Sequence, residues 1–98
     1  MKLRIDFNMQ SNDMIPELLK NFIENITKQP ECPDFLRDEL IVINKEISDF
    51  SQMDFIVSIS EDKKVSISVV EYYKEEKTSE LEYFIEFNEY DPIRLFNE

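Results

Sequence analysis

Three stretches in the second half of the chain alternate apolar and polar residues with a period of two. They cover residues 54–60, 65–69 and 81–87. Their apolar positions are Phe55, Val57, Ile59, Val65, Ile67, Val69, Leu81, Tyr83, Ile85 and Phe87. Alternation of this kind, rich in β-branched residues, is typical of half-buried strands. The pattern therefore predicts three consecutive antiparallel strands whose apolar positions face one core.

The register of the first predicted hairpin follows from the rule that residues directly opposite each other in a sheet share a face. The pairs that satisfy this rule on a three-residue loop are Ile59–Val65, Val57–Ile67 and Phe55–Val69. A two-residue turn at Asp62–Lys63 would instead place Ile59 opposite Ser66, on the wrong face. That tighter turn also lacks the Gly or Asn that primed turns favour, so the three-residue loop is predicted.

The second hairpin is predicted with a longer connection, because Lys74–Glu80 is polar throughout. Pairing Val69 with Ile85 keeps the apolar residues on one face. The same register places Glu71 opposite Tyr83 on the inner side of the sheet. Glu71 is therefore expected either at the sheet margin or rotated outward by a bulge.

The first thirty residues predict a strand and a helix. Residues 2–9 alternate with Leu3, Ile5, Phe7 and Met9 on the inner side. Residues 11–13 all favour an N-cap, and a helical stripe follows: Ile15, Leu18, Leu19, Phe22, Ile23 and Ile26. Since Pro16 is tolerated only in a first turn, the helix is expected to run from near Asp13 to before Pro30.

A second helix is predicted from about Asp34 to Asp49, beyond the proline-flanked linker. Its apolar residues recur at spacings of four and three: Leu36, Leu40, Ile43, Ile47 and Phe50. The alternative is a buried strand over residues 40–44, which the length of the pattern and its flanking charges disfavour.

The elements together predict an α+β fold in a single domain, residues 1–98. Their order is β-α-α-β-β-β, with a C-terminal three-stranded antiparallel meander and the helices packed on one face of the sheet in two layers. Asp91–Pro92 ends the last strand, and the apolar tail Ile93–Phe96 is expected to lie on the sheet.

The other face of the predicted sheet carries more apolar side chains than a solvated face requires. These are Ile56, Val70, Tyr72, Phe84 and Tyr90, interleaved with Glu82, Glu86 and Asn88. Two interpretations are open. A helix or the C-terminal tail covers this face, or the face binds a partner, because exposed aromatic residues rimmed by carboxylates mark interaction sites.

The composition argues against catalysis. The chain has no Gly and no His, which excludes Gly-rich phosphate loops, histidine-based nucleophile activation and histidine metal sites. Glu82 and Glu86 lie about 13 Å apart along a strand, farther than the ~5–9.5 Å between glycosidase carboxylates. The single cysteine, Cys32, can form no intrachain disulfide. We therefore expect a protein that is not an enzyme, has no cofactor and no metal and, without a signal-peptide pattern or a membrane-spanning apolar run, is cytoplasmic.

The charge narrows the class of partner. The formal net charge is −11, and since residues 1–30 hold four acids and four bases, the acidic excess lies beyond Pro30. Direct binding to nucleic acid or to anionic membrane is disfavoured, because both depend on basic side chains. A basic protein surface is the expected partner, although acidic residues also serve simply to keep a small protein in solution.

Three classes of function fit this profile. The first is an inhibitor that occupies a basic, nucleic-acid-binding surface of a larger protein, such as a nuclease or a nucleic-acid-guided effector. The second is an immunity protein that neutralises a basic nuclease toxin, and the third is a self-associating structural or regulatory module, in which a homodimer forms. On size and charge alone, the chain is similar to phage-encoded anti-CRISPR and DNA-mimic proteins, which implies the first class. The expected partner-binding residues are Glu71, Tyr72, Glu82, Phe84, Glu86 and Tyr90.

Overall fold

The computed structural model describes residues 2–10, 14–44 and 51–97. The elements, in chain order, are β1 (Leu3–Gln10), α1 (Glu17–Thr27), α2 (Asp34–Ile43), β2 (Ser51–Ile59), β3 (Lys64–Tyr73), β4 (Glu76–Glu86) and a short 3-10 helix (Pro92–Phe96). The strands form one antiparallel sheet in the order β1-β2-β3-β4. The predicted mixture of helices with an antiparallel sheet is confirmed.

The first hairpin of the meander has the predicted register. Ile59 lies opposite Val65 and Phe55 opposite Val69. The Ser60 N–H donates to the Lys64 carbonyl, so residues 61–63 form the loop. Lys63 closes this loop with a φ of 65°, a left-handed conformation that glycine adopts most easily. Its Nζ donates to the carbonyls of Asn88 and Glu89 at 3.3 and 3.5 Å.

The predicted register of the second hairpin is wrong. Val69 lies opposite Leu81 rather than Ile85, and β4 begins at Glu76, within the segment predicted to be a loop. The connection is a two-residue turn, in which Lys74 and Glu75 have φ values of 50° and 70°. Primed turns need positive φ at both central residues, and here two non-glycine residues supply it.

A β-bulge keeps the apolar side chains of β3 and β4 on the same face of the sheet despite this tight turn. Tyr72 lies opposite Lys77, whereas Glu71 lies opposite Ser79. Thr78 is therefore the extra residue on β4, and its hydroxyl donates to the Glu71 carbonyl at 3.2 Å. Without this insertion the two-residue turn would set apolar positions of β3 opposite polar positions of β4, because side chains alternate between faces.

Helix α1 begins four residues later than predicted. Pro16 is its N-cap residue, with ψ of 144°, and residues 14–16 are not helical. Proline disfavours the helical conformation in the residue before it, so Ile15 cannot belong to the first turn. The buried stripe is Leu19, Phe22, Ile23 and Ile26. The expected capping residues 11–13 lie outside the described part of the chain.

Helix α2 buries Leu36, Leu40 and Ile43, so the helix rather than the alternative strand is confirmed as far as Ile43. Its predicted continuation to Asp49 lies outside the described residues. Arg37 joins the two helices: its Nε donates to the Thr27 carbonyl at 2.7 Å and its Nη2 to the Cys32 carbonyl at 2.9 Å. No helix in the described segments is long and apolar enough to cross a membrane.

One hydrophobic cluster combines the inner residues of the sheet with the buried residues of both helices. Phe55 of β2 lies near its centre, 6.4 Å from the rings of both Phe7 and Phe22 in edge-to-face geometry. The C-terminal tail packs against α1: Phe96 stacks on Phe22 at 4.8 Å, and Asn25 donates to the Leu95 carbonyl at 2.8 Å. The inner face of the sheet is therefore committed to the core.

Candidate protein-binding surface

The opposite face of the sheet, here called the outer face, is the candidate functional surface. Its members are Arg4, Asp6, Asn8, Gln10, Gln52, Asp54, Ile56, Ser58, Lys64, Ser66, Ser68, Val70, Tyr72, Lys77, Glu80, Glu82, Phe84 and Glu86. Every one of these side chains is exposed or half-buried. No described part of the chain therefore covers the outer face, although a covering helix or tail was one of the two interpretations of its sequence.

Phe84 is the most exposed apolar residue of the outer face. It lies opposite Ser66, which in turn lies opposite Ser58, so only small side chains flank the ring across the sheet. The phenylalanine is 63% exposed. It forms one wall of a shallow groove of about 490 Å³, lined also by Ser58, Ser60, Asp62, Lys64 and Ser66. A large side chain from a partner could enter this groove and cover the ring.

Carboxylates flank Phe84 along its strand. Glu86 lies 3.5 Å from Lys64 Nζ, which also lies 3.6 Å from Asp62. These two carboxylates raise the pKa of Lys64, Asp62 more than Glu86, so its positive charge is secure at neutral pH. Glu82 lies opposite Ser68 and forms no ion pair with any residue that the structure describes.

At the end of the groove, the Ser60 hydroxyl donates to an Asp62 carboxylate oxygen. This hydrogen bond is the main reason that the pKa of Asp62 falls below its ordinary value, with the charge of Lys64 as a smaller contribution. The carboxylate therefore stays ionised in mildly acidic solution. Ser60, Asp62 and Lys64 line the groove together with Phe84, which the strand pattern did not indicate.

The other predicted site residues lie elsewhere. Tyr72 is on the outer face, but about 20 Å from Phe84 along the strands, opposite Gln52 and Lys77. Tyr90 is packed against the buried Phe87 with ring centroids 5.7 Å apart, and it is not part of the outer face. Glu71 lies half-buried on the inner side, opposite Met53 and next to the bulge. Of the six predicted residues, the structure groups Glu82, Phe84 and Glu86.

The acidic excess of the chain is only weakly concentrated on the outer face. Five carboxylates lie there among three cationic side chains. Two of the cations are paired within their own strand, Arg4 with Asp6 at 2.9 Å and Lys77 with Glu80 at 2.5 Å. The face is thus mixed in charge, and three of its five carboxylates lie on β4.

Sequence reasoning missed an aromatic contact on the other side of β4. Phe35 of α2 is 54% exposed, and its ring meets Tyr83 edge to face at a centroid distance of 5.0 Å. The sequence contained a signal for this contact, because Phe35 is a large apolar residue that lies outside the buried stripe formed by Leu36, Leu40 and Ile43. Strand β4 therefore has an exposed aromatic residue on each side.

Cys32 is 2% exposed, and burial is the main cause that raises the pKa of its thiol. Its thiolate fraction at neutral pH is correspondingly low. Among the described residues, no three His, Cys, Asp or Glu side chains are grouped so that they could hold a metal ion. Comparisons with family models, with curated proteins and with solved structures found no match to the chain.

Proposed function

We propose that this protein is a small inhibitor that occupies a basic, nucleic-acid-binding surface of a larger protein. The observation that carries the proposal is the position of Phe84, 63% exposed between two glutamates of the same strand face. No described segment of the chain covers this face. An aromatic ring rimmed by carboxylates has the composition of the anchors that protein interfaces use.

Phe84 would be the main apolar anchor of the contact. Burying a phenylalanine side chain contributes about 1.5–3 kcal/mol, and interface energy is concentrated in a few such anchors. The groove beside Phe84, about 490 Å³ in volume, gives a partner side chain room to pack against the ring. Its lining by serines, Asp62 and Lys64 offers hydrogen-bonding groups around that apolar contact.

The charge would act mainly on the rate of association. A net charge of −11 attracts a basic partner over distances greater than any single contact, and such attraction raises on-rates more than affinities. The outer face itself holds paired cations as well as carboxylates. We therefore expect a mixed apolar and ionic contact rather than a dense array of carboxylates that imitates phosphates.

The test begins with capture of a partner by the tagged chain across a salt series. A specific partner is one that survives about 0.5 M salt, where the Debye length is only a few ångströms. The captured protein is then bound to a labelled nucleic-acid duplex, and the chain is titrated in. Displacement of the duplex is the expected result, and a partner that binds both together would overturn the inhibitor proposal.

A matched pair of variants localises the contact. Phe84→Ser is expected to abolish displacement, whereas Val42→Ser is expected to leave it intact. Val42 is the control because it is also 63% exposed but lies on α2. If the captured partner is a basic nuclease toxin, the chain is an immunity protein. Recovery of nothing but the chain itself would instead support self-association.

A further inference from the structure

Strand β4 is one of the two edge strands of the sheet. It pairs with β3 along one side, and no described strand pairs with its other side. It extends over eleven residues, longer than the usual edge strand. An uncovered edge of this length offers a row of backbone donors and acceptors to a further strand.

The backbone groups that face away from β3 can be identified. The Phe87 N–H donates to the Lys63 carbonyl at 3.1 Å, so odd-numbered residues at this end of β4 bond towards β3. On the other side of β3, the Ser60 N–H donates to the Lys64 carbonyl at 2.9 Å, so even-numbered residues of β3 bond towards β2. Bonding direction alternates along an antiparallel strand, so the odd-numbered residues Leu81, Tyr83 and Ile85 bond to β3. The residues whose N–H and C=O point to the free edge are Glu80, Glu82, Phe84 and Glu86.

The same four residues project their side chains onto the outer face. We infer that the free edge of β4 accepts an extended basic segment of the partner as a fifth strand. This inference rests on the proposed function and specifies how the partner is held. Opposite residues of paired strands share a face, so a basic residue of the segment would lie opposite Glu82, an apolar one opposite Phe84 and a basic one opposite Glu86.

Charge distinguishes this occupant from a second copy of the chain. Strand β4 contains four glutamates, at positions 76, 80, 82 and 86, and one lysine. In every antiparallel self-pairing centred on a residue between Glu80 and Phe84, at least one glutamate lies opposite another. Like charges directly opposite each other destabilise a strand pair. A basic segment would instead place a cation opposite a glutamate. This matters most at Glu82, which has no ion pair within the described residues.

Alternate residues of the added segment would point to the inner side of the sheet, where the edge of β4 is apolar. Leu81 and Tyr83 are half-buried there, and Phe35 of α2 contacts the Tyr83 ring. Side chains of an added strand that point to this side would meet apolar surface. The segment is therefore expected to alternate basic and apolar residues on its outer side and to tolerate apolar residues on its inner side.

The probe is a short synthetic peptide in which lysine, leucine and lysine alternate with threonine. Amide hydrogen exchange of the full chain is followed by NMR with and without the peptide. The amides of Glu80, Glu82, Phe84 and Glu86 are expected to slow by about tenfold or more, since tenfold corresponds to about 1.4 kcal/mol, the scale of one net hydrogen bond. The amides of Leu81, Tyr83 and Ile85, already bonded to β3, are expected to change much less.

Two variants separate charge from backbone. Glu82→Gln keeps the N–H and removes the charge, and is expected to weaken peptide binding. Glu82→Pro also removes the free N–H, and is expected to abolish binding while the β3-bonded amides keep their protection. Peptides with glutamate in place of lysine, or with alternate amides N-methylated, are expected not to bind.

Peptide binding that leaves the four free-edge amides unprotected would overturn strand addition, as would equal binding of the control peptides or no binding at all. The proposed function is tested separately by displacement of nucleic acid from the captured partner. If the chain displaces nucleic acid from its partner but these amides stay unprotected, the proposed function stands and strand addition is ruled out.

Discussion

Phe84 of β4 lies directly opposite Ser66 of β3, and this pairing leaves the most exposed apolar side chain of the outer face without a cross-strand neighbour of similar size. Cross-strand pairs normally bury part of an aromatic ring. Here the ring remains 63% exposed beside a serine-lined groove. The relationship predicts that Phe84 contributes little to folding.

Phe84→Ala is therefore expected to change the free energy of unfolding by no more than about 0.5 kcal/mol, as at most exposed sites. Phe55→Ala is the comparison, because Phe55 is fully buried and its loss should cost about 3–5 kcal/mol. Urea denaturation of the two variants measures both effects. A large loss of stability in Phe84→Ala would show that the ring is part of the core.

Glu82→Lys is expected to slow association with the partner and to reduce its salt dependence, since rim charges act mainly on the on-rate. Glu24→Lys makes the same change of net charge on the exposed side of α1. Stopped-flow association at several salt concentrations compares the two. Equal effects would mean that only the net charge matters, and not the position of Glu82.

The double variant Lys74→Asn with Glu75→Gly is expected to stabilise the protein by about 1 kcal/mol, because these residues favour the positive φ that a primed turn requires. For a chain of this size such a gain raises Tm by about 4–8 °C. Thermal unfolding followed by circular dichroism measures the change. A lower Tm would indicate that the turn differs from the φ values of 50° and 70° that define it.

Arg37→Ala is expected to destabilise the protein by about 1.5–3 kcal/mol, the usual contribution of hydrogen bonds to charged groups. The guanidinium donates to the carbonyls of Thr27 and Cys32, so its loss leaves the connection between the helices unsupported. Arg37→Lys should not restore stability, because an ammonium cannot reproduce the planar fork. The control is Lys28→Ala, at an exposed position, and chemical denaturation compares all three.

Ser60→Ala is expected to raise the pKa of Asp62 towards its ordinary value, because the Ser60 hydroxyl is the main group that lowers it. A depressed carboxyl pKa stabilises the folded state above the unfolded pKa, and this contribution is lost as the pH falls through the folded value. The relevant window therefore lies below about pH 4. Carbon NMR titration measures the shift, and Ser66→Ala, in the same groove, should leave it unchanged.

Several features of the fold could be predicted because they depend on local pattern. The first hairpin has its expected register, since β-branched alternation on both strands leaves few pairings that match faces across a short loop. The predicted start of α1 was wrong by four residues, because Pro16 disfavours the helical conformation at Ile15. Helix α2 buries the expected residues as far as Ile43.

The second hairpin could not be predicted in the same way. Its polar residues 74–80 indicated a loop, and its two-residue turn contains no residue that favours positive φ. Thr78 then shifts the strand by one residue so that the faces match. The observed partner of Val69 lies four residues before the expected one. Because four is an even number, the same side chains share a face in both registers. For this reason the paired residues of β3 and β4 lie on the faces that the sequence predicted, but opposite different neighbours.

The amino-acid sequence by itself determined which residues could face a core, because a period of two or of 3.6 is a property of the backbone alone. Only the tertiary structure decided which side of the sheet the helices cover, and hence that Phe84 is exposed and Tyr90 packs against Phe87. It also placed β4 at the sheet edge, beside Phe35. These outcomes depend on contacts between segments distant in sequence, whose energies no local pattern contains.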